Sequence, residues 1–341
     1  MNKRNTYFIL FVLLLCSCAG GSARKAADEP KEGTLVDITF CADSAYSYIV
    51  KQCSLGPRTM NSSAHDRCGE WIASKFRSFG LSVSIQEATL KGYDGTSLKA
   101  ANIIASYLPG ASERVLLCAH WDSRPWADND PDENKWRTPI DAANDGASGV
   151  AVMLELARQI TADTSNGGDS ATVLGYGIDF ICFDAEDYGI PRWEYRYDDS
   201  NTWALGSAYW AERAHEDGYT AGYGVLLDMV GGQGARFYRE VFSEEYAPDI
   251  VEMVWRAASV AGYSSFFPHA EGGAVMDDHV NINSLAGIPT IDIIPYYPDC
   301  SASSFGPTWH TVSDDVSHID KNTLCAVGQT LIQVLFTSSP K

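Results

Sequence analysis

The chain has 341 residues, 45% of them hydrophobic, enough to bury one large α/β core or two ordinary ones and too apolar for a disordered or fibrous protein. Its 25 basic and 44 acidic residues give a net charge of −19, which argues against nucleic acid or anionic lipid as a partner of the folded body.

Residues 1–18 read as an export signal: Lys3 and Arg4, the apolar run Phe8 to Leu15, then small residues and cysteine. That run is too short to span a bilayer comfortably. Leu15-Cys16-Ser17-Cys18 resembles a bacterial lipobox, with the atypical Cys16 at its second position. The resemblance implies a lipid on Cys18 and an exported bacterial lipoprotein, anchored to the membrane and facing the periplasm or the cell exterior. Residues 19–34 then read as a tether and 35–341 as a single catalytic domain. Beyond the signal stand seven cysteines, Cys41, Cys53, Cys68, Cys118, Cys182, Cys300 and Cys325, an odd number with no Cys-x-x-Cys spacing and so no disulfide framework.

Ala42–Cys53 and His65–Phe79 carry apolar residues at helical spacing, the second run stopping at Gly80. Strands follow: Leu81–Ala88 alternates, Ala101–Tyr107 is apolar, and Arg114–Ala119 is a buried-type run that stops in His120-Trp121-Asp122. Residues 123–143, rich in Pro, Asp, Asn and Trp, form a loop of a length that tends to be functional. Asn144-Asp145-Gly146-Ala147-Ser148-Gly149 opens a helix with Val150, Met153, Leu154, Ala157 and Ile160 on one stripe. A carboxylate at that point is what an N-cap looks like, so capping is the ordinary role expected of Asp145.

After a polar loop at 162–176, Asp179–Phe183 reads as a strand buried on both faces, ending in Asp184, Glu186 and Asp187. Open α/β sheets bind ligands at the carboxyl ends of their strands, and adjacent residues on an extended backbone point to opposite sides, so of Glu186 and Asp187 one can face a metal and the other a substrate. An aromatic loop at 188–202 with Trp193 leads to a helix over Trp203–His215, and Tyr223–Leu227 is again a buried run that meets an acid, Asp228. Tyr246–Ala261 is expected to be an amphipathic helix, Ile288–Ile294 a strand and Asn322–Phe336 a closing helix. This alternation predicts an α/β three-layer sandwich, a central mainly parallel mixed sheet with helices on both faces.

The polar residues at strand ends and helix starts are His120, Asp122, Asp145, Glu186, Asp187 and Asp228, joined by Trp309-His310-Thr311 after a Pro/Gly/Ser-rich loop. Carboxylates and imidazoles without thiolate suit a catalytic zinc with an open coordination position. The succession His120-x-Asp122, Asn144-Asp145-Gly146, Glu186-Asp187, Asp228, His310 resembles the zinc aminopeptidases of the M28 family and their relatives the animal-type and bacterial glutaminyl-peptide cyclotransferases, over roughly residues 60–336.

The resemblance implies that Asp145, Asp187 and His310 hold one zinc and that Glu186 is the general acid/base. In the two-metal peptidases the counterparts of His120 and Asp228 hold a second zinc with Asp145 bridging; in the cyclases one zinc is used and Asp228 serves the substrate amine. One zinc is the expectation, with room for two. Trp309 before His310, Asp277-Asp278-His279, the helix segment Met153–Arg158 and the stretch Gly287–Pro295 all look like cyclase segments. They imply that Asp277 joins Glu186 and Asp228 in catalysis and that Trp193, Trp309 and Asp292 surround the substrate, the N-terminus of a peptide or protein. Asp292 stands where animal cyclases have histidine, and Gly146 where they have serine. The function expected is cyclisation of N-terminal glutamine to pyroglutamate with release of ammonia, and the alternative is an M28-type di-zinc aminopeptidase.

Overall fold

Unbroken apolar runs fold where both faces of a strand are covered. In the computed structural model, which describes residues 33–165, 174–194 and 202–340, such runs form the middle of a six-stranded sheet. The export signal with Cys18, nearly all of the tether, and parts of the loops expected at 162–176 and 188–202 lie outside the described residues. All described residues belong to one compact unit.

An antiparallel hairpin, β1 (Ser82–Lys91) and β2 (Ser97–Tyr107), forms one edge. β3 (Arg114–His120), β4 (Gly177–Phe183), β5 (Tyr223–Leu227) and β6 (Thr290–Ile293) are buried at every position. The order is β1-β2-β4-β3-β5-β6, with β4, β3, β5 and β6 mutually parallel and β2 antiparallel to β4. The mixed, mainly parallel sheet expected from the sequence is the sheet found, and the parallel strands bring their carboxyl ends to one edge.

Alternation along the strands sorts side chains into two cores. Val115, Leu117 and Ala119 face the larger, with α1 (Ala42–Ser54), α2 (Ser63–Ser78) and α3 (Ala147–Ser165); Leu116 and Cys118 face the smaller, under α4 (Leu205–Glu216). Val150 to Leu154 of α3 are fully buried, because the helix packs on the sheet and under α1 and α8 (Lys321–Thr337). A β-carbon at Gly149 would collide with the carbonyl of Leu227, so glycine there lets the start of α3 abut the end of β5 and brings Asp145 beside Asp228.

The helix expected over Tyr246–Ala261 is found from Pro248 to Val260, and a separate short helix that the sequence did not suggest precedes it. α5 (Val241–Tyr246) is capped by Glu240, whose carboxylate accepts from the amides of Phe242 and Ser243; α6 (Pro248–Val260) starts afresh, Ala247 leaving helical geometry with φ −145° and Pro248 supplying a first turn that needs no N–H. The one turn α7 (Asp278–Asn281), continued by a π-helical turn at Ile282–Ala286, is too short to leave a periodicity in sequence.

Candidate active site

Three of the four parallel strands bring a candidate ligand or acid to the same edge. β3 ends on His120, β5 is followed by Asp228, and the turn after β4 carries Glu186 and Asp187. Asp145 stands just before α3, but its carboxylate is not spent on capping. Asp314 instead holds the turn before the helix: its two oxygens accept the amides of Asn144 and Asp145 at 2.8 and 3.0 Å, and the Asp145 side chain faces two imidazoles. Gly146 holds φ +100°, and a β-carbon there would lie 2.7 Å from the Asp122 carbonyl, so this turn admits glycine alone.

His120 Nε2 lies 3.1 Å from Asp145 Oδ1 and 3.2 Å from Asp228 Oδ1, while His310 Nε2 lies 3.3 Å from Asp187 Oδ1 and 3.5 Å from Asp145 Oδ2. The result is two buried triads, His120/Asp145/Asp228 and Asp145/Asp187/His310, each with ligand atoms within 4.8 Å of one another and sharing Asp145. The triads differ in how they are satisfied. His120 Nε2 already bridges two carboxylates, whereas Asp145 Oδ2 and Asp187 Oδ2 are buried without a hydrogen-bond partner. Buried carboxylate oxygens are expensive to leave unpaired, and an oxygen–imidazole set without thiolate is what a divalent ion such as zinc takes, so the residues of the second triad fit a metal.

The electrostatics say the same. Burial pushes the Glu186 carboxyl well above its usual range, with His120 opposing and Asp187, Asp277 and Asp278 reinforcing. Burial likewise raises Asp228, to about 7, and raises Asp187. Burial alone would lower the His120 imidazole, yet hydrogen bonds to Asp122, Asp145 and Asp228 outweigh it and hold its proton. The edge is short of positive charge.

Residues one layer out aim the ligands. Asp122, expected among the ligand candidates, accepts the amides of Glu186 and Asp187 at 3.1 and 3.2 Å and so shapes the turn rather than holding a metal. Arg124, fully buried, forks onto both oxygens of Asp128 at 2.7 Å and reaches the Asp187 carboxylate at 3.2 Å; Asp128 in turn lies 3.6 Å from His310 Nδ1. Ala185, Ala204, Met229 and His310 all hold left-handed φ near +50° without being glycine, and such strain collects at functional sites.

The triads open into a cavity of 510 Å³ whose acidic floor is Asp145, Glu186, Asp187, Asp228 and Asp277 and whose wall is Trp203, Phe305 and Trp309. Trp309 stacks on His310 with ring centroids 3.8 Å apart, and Trp203 lies parallel to the same imidazole at 6.0 Å. Asp277 reaches the cavity with Oδ2 unpartnered, its other oxygen taking the Asp278 amide.

Two of the residues expected around the substrate stand elsewhere. Trp193 is not in the cavity wall; it stacks on Trp136 and packs against Trp126 and Arg137, and Trp203, ten residues later, occupies the wall. Asp292 is fully buried behind the floor, 3.9 Å from His279 Nδ1, and does not line the cavity. Arg124, Asp314, Trp203 and Phe305 were not singled out in the sequence. The signal for Arg124 was an arginine two residues after Asp122, at the start of a long acidic loop on the ligand edge; the other three leave none.

Residues 102–335 match the family model described as Peptidase family M28. A glutaminyl cyclase of Bacteroides thetaiotaomicron, solved with N-acetylhistamine, superposes with a TM-score of 0.83 at 49% identity, covering 88% of this chain and 99% of that one. A protein of the same organism described as a leucine aminopeptidase precursor gives 0.83 at 48% identity, covering 89% and 100%. Among curated proteins, aminopeptidase YwaD of Bacillus subtilis is 27% identical over 299 residues, which span 84% of this chain and 55% of that relative.

Proposed function

The chain belongs to the M28 peptidase family, and on that premise we propose that it is a zinc-dependent glutaminyl-peptide cyclotransferase. The observation that favours the choice is a difference between the two triads: in one, His120 Nε2 lies within hydrogen-bond distance of both Asp145 and Asp228, while in the other Asp145 Oδ2 and Asp187 Oδ2 are unpartnered, which supports a metal at the second. Identity of 49% to a solved glutaminyl cyclase supports it.

A zinc ion held by Asp145, Asp187 and His310 would polarise the side-chain carbonyl of an N-terminal glutamine. The remaining work falls to the protein. Trp203 and Trp309 hold the glutamine side chain between apolar surfaces and exclude water. Asp228 accepts a hydrogen bond from the substrate α-amine. As the amine nitrogen bonds to the amide carbon, Glu186, whose burial raises its proton affinity well above that of an ordinary carboxylate, takes a proton from it and returns one to the departing nitrogen. The bond from carbon to the amide nitrogen breaks, ammonia leaves and the lactam remains. Asp277 donates or accepts a hydrogen bond at the reacting centre according to its proton, which burial favours.

The second reading is the two-metal aminopeptidase, favoured by the proximity of His120, Asp145 and Asp228. There Glu186 would deprotonate a water instead. Incubation with one peptide beginning in glutamine and one beginning in leucine separates them by mass: loss of one ammonia from the first with the second intact is expected, and release of free leucine or glutamine without pyroglutamate would replace the cyclase with the peptidase. Export, with a lipid on Cys18, is part of the same proposal and rests on residues 1–18 alone. No helix of the described residues is long and apolar enough to cross a membrane.

A further inference from the structure

Asp184 directly follows β4, two residues before Glu186, is fully buried, and takes no part in either triad. Its side-chain donor is remote: His65, on α2, places Nε2 at 2.9 and 3.0 Å from the two oxygens of Asp184, across 119 residues of sequence. The imidazole is itself fixed, stacked on Trp121 with ring centroids 4.2 Å apart. It lines a groove of 860 Å³ that shares no lining residue with the catalytic cavity, so it touches no substrate there.

We infer that His65, acting through Asp184, is a positioning residue for the turn that aims Glu186. With the Nε2 hydrogen shared between both oxygens, the plane of the Asp184 carboxylate is set. One oxygen then accepts the Ala185 amide at 2.9 Å and the other the Ala101 amide at 2.7 Å, tying the turn to the neighbouring strand β2. Ala185 is the residue with φ +54°, a conformation an alanine keeps only when its surroundings impose it. From that left-handed residue the chain passes directly to Glu186, whose amide is caught on Asp122. Without the imidazole the buried carboxylate loses the one side-chain donor that sets its plane; rotation of that plane releases the Ala185 amide and redirects the next side chain. A displacement of about 1 Å at a proton carrier is enough to cost on the order of 10²-fold in rate.

The inference takes Glu186 as proton carrier from the reading above, and its test keeps the two apart because the rate is measured on whichever reaction the wild-type enzyme performs. His65→Phe keeps the stack on Trp121 and removes the donor, whereas His65→Gln brings an amide N–H to about the place of Nε2. Expected are a fall in kcat of about 10- to 100-fold for His65→Phe with KM within about twofold and metal content unchanged, and recovery to within about threefold of wild type for His65→Gln. Amide exchange at Ala185 and Glu186, read by mass spectrometry, should quicken in the first variant and not in the second. If His65→Phe does not fold, His65→Asn, too short to reach Asp184, takes its place with the same expectations. Unchanged kcat without the donor, or equal losses in the Gln and Phe variants, overturns the inference. Leucine release in place of pyroglutamate by the wild-type enzyme overturns only the reading of the reaction.

Discussion

A buried acid near the start of β4 and another in the turn beyond its end are treated in opposite ways. At its start, Asp179 accepts from Arg114 Nε and Nη2 at 2.6 and 2.7 Å, from the Ser106 hydroxyl and from the Tyr219 hydroxyl. Every acceptor position is answered by this chain. Just past its end, Asp187 and, across from it, Asp145 keep one oxygen each buried and unanswered, while burial drives Glu186 and Asp228 toward protonation. Residue type does not separate the two regions, since both are buried carboxylates in one sheet. Satisfaction separates them: Asp179 is answered in full by its own chain, whereas Asp145 and Asp187 each keep an unpartnered oxygen beside an imidazole on the cavity floor, the place where an ion can take it; Asp278 and Asp292, also buried with unpartnered oxygens, do not line that cavity.

The comparison breaks most sharply at Glu186. Glu186→Gln should lower kcat by about 10² to 10⁴ and leave both thermal midpoint and bound zinc unchanged, because the side chain faces substrate and not metal. Loss of zinc in that variant, seen by elemental analysis, would mean that Glu186 and Asp187 have each other's roles. At the satisfied end the signs reverse. Arg114→Met strands a buried carboxylate and should cost about 3–5 kcal/mol in denaturant unfolding, with kcat per folded molecule near wild type. A comparable loss of kcat would show that the two ends are coupled.

Smaller effects are expected in the cavity wall. Trp203→Ala should raise KM for a glutamine peptide by about tenfold, equivalent to ~1.4 kcal/mol of lost aromatic contact. Trp193→Ala, in the outer cluster with Trp136 and Arg137, should change KM by no more than about twofold. Steady-state kinetics on both variants checks whether the wall has been assigned to the right tryptophan.

Trp193 and Trp203 also show where the sequence stopped being legible. Both lie in or beside one aromatic loop, and which of them reaches His310 is decided by the path of the chain, with Ala204 held left-handed and bonded to the Glu186 carbonyl. Strand ends were legible because a fully buried strand must be apolar until it leaves the sheet, so His120, Asp187 and Asp228 announce themselves by interrupting a run. His310 was legible only in company, as an imidazole after a loop, since no strand precedes it. Arg124 and Asp314 were not, because their meaning is a partner 63 and 169 residues away, and local periodicity carries nothing about such pairs. The helix expected from Tyr246 is present but starts two residues later, because Pro248 sets its first turn.

The claim that unanswered carboxylates mark the metal site is tested most directly by zinc content, measured by elemental analysis of protein purified without added metal. One zinc per chain in the wild-type protein, kept in Arg114→Met and lost in Asp187→Ala, is the predicted result; protein without zinc, or an Asp187→Ala variant that keeps it, would contradict the account.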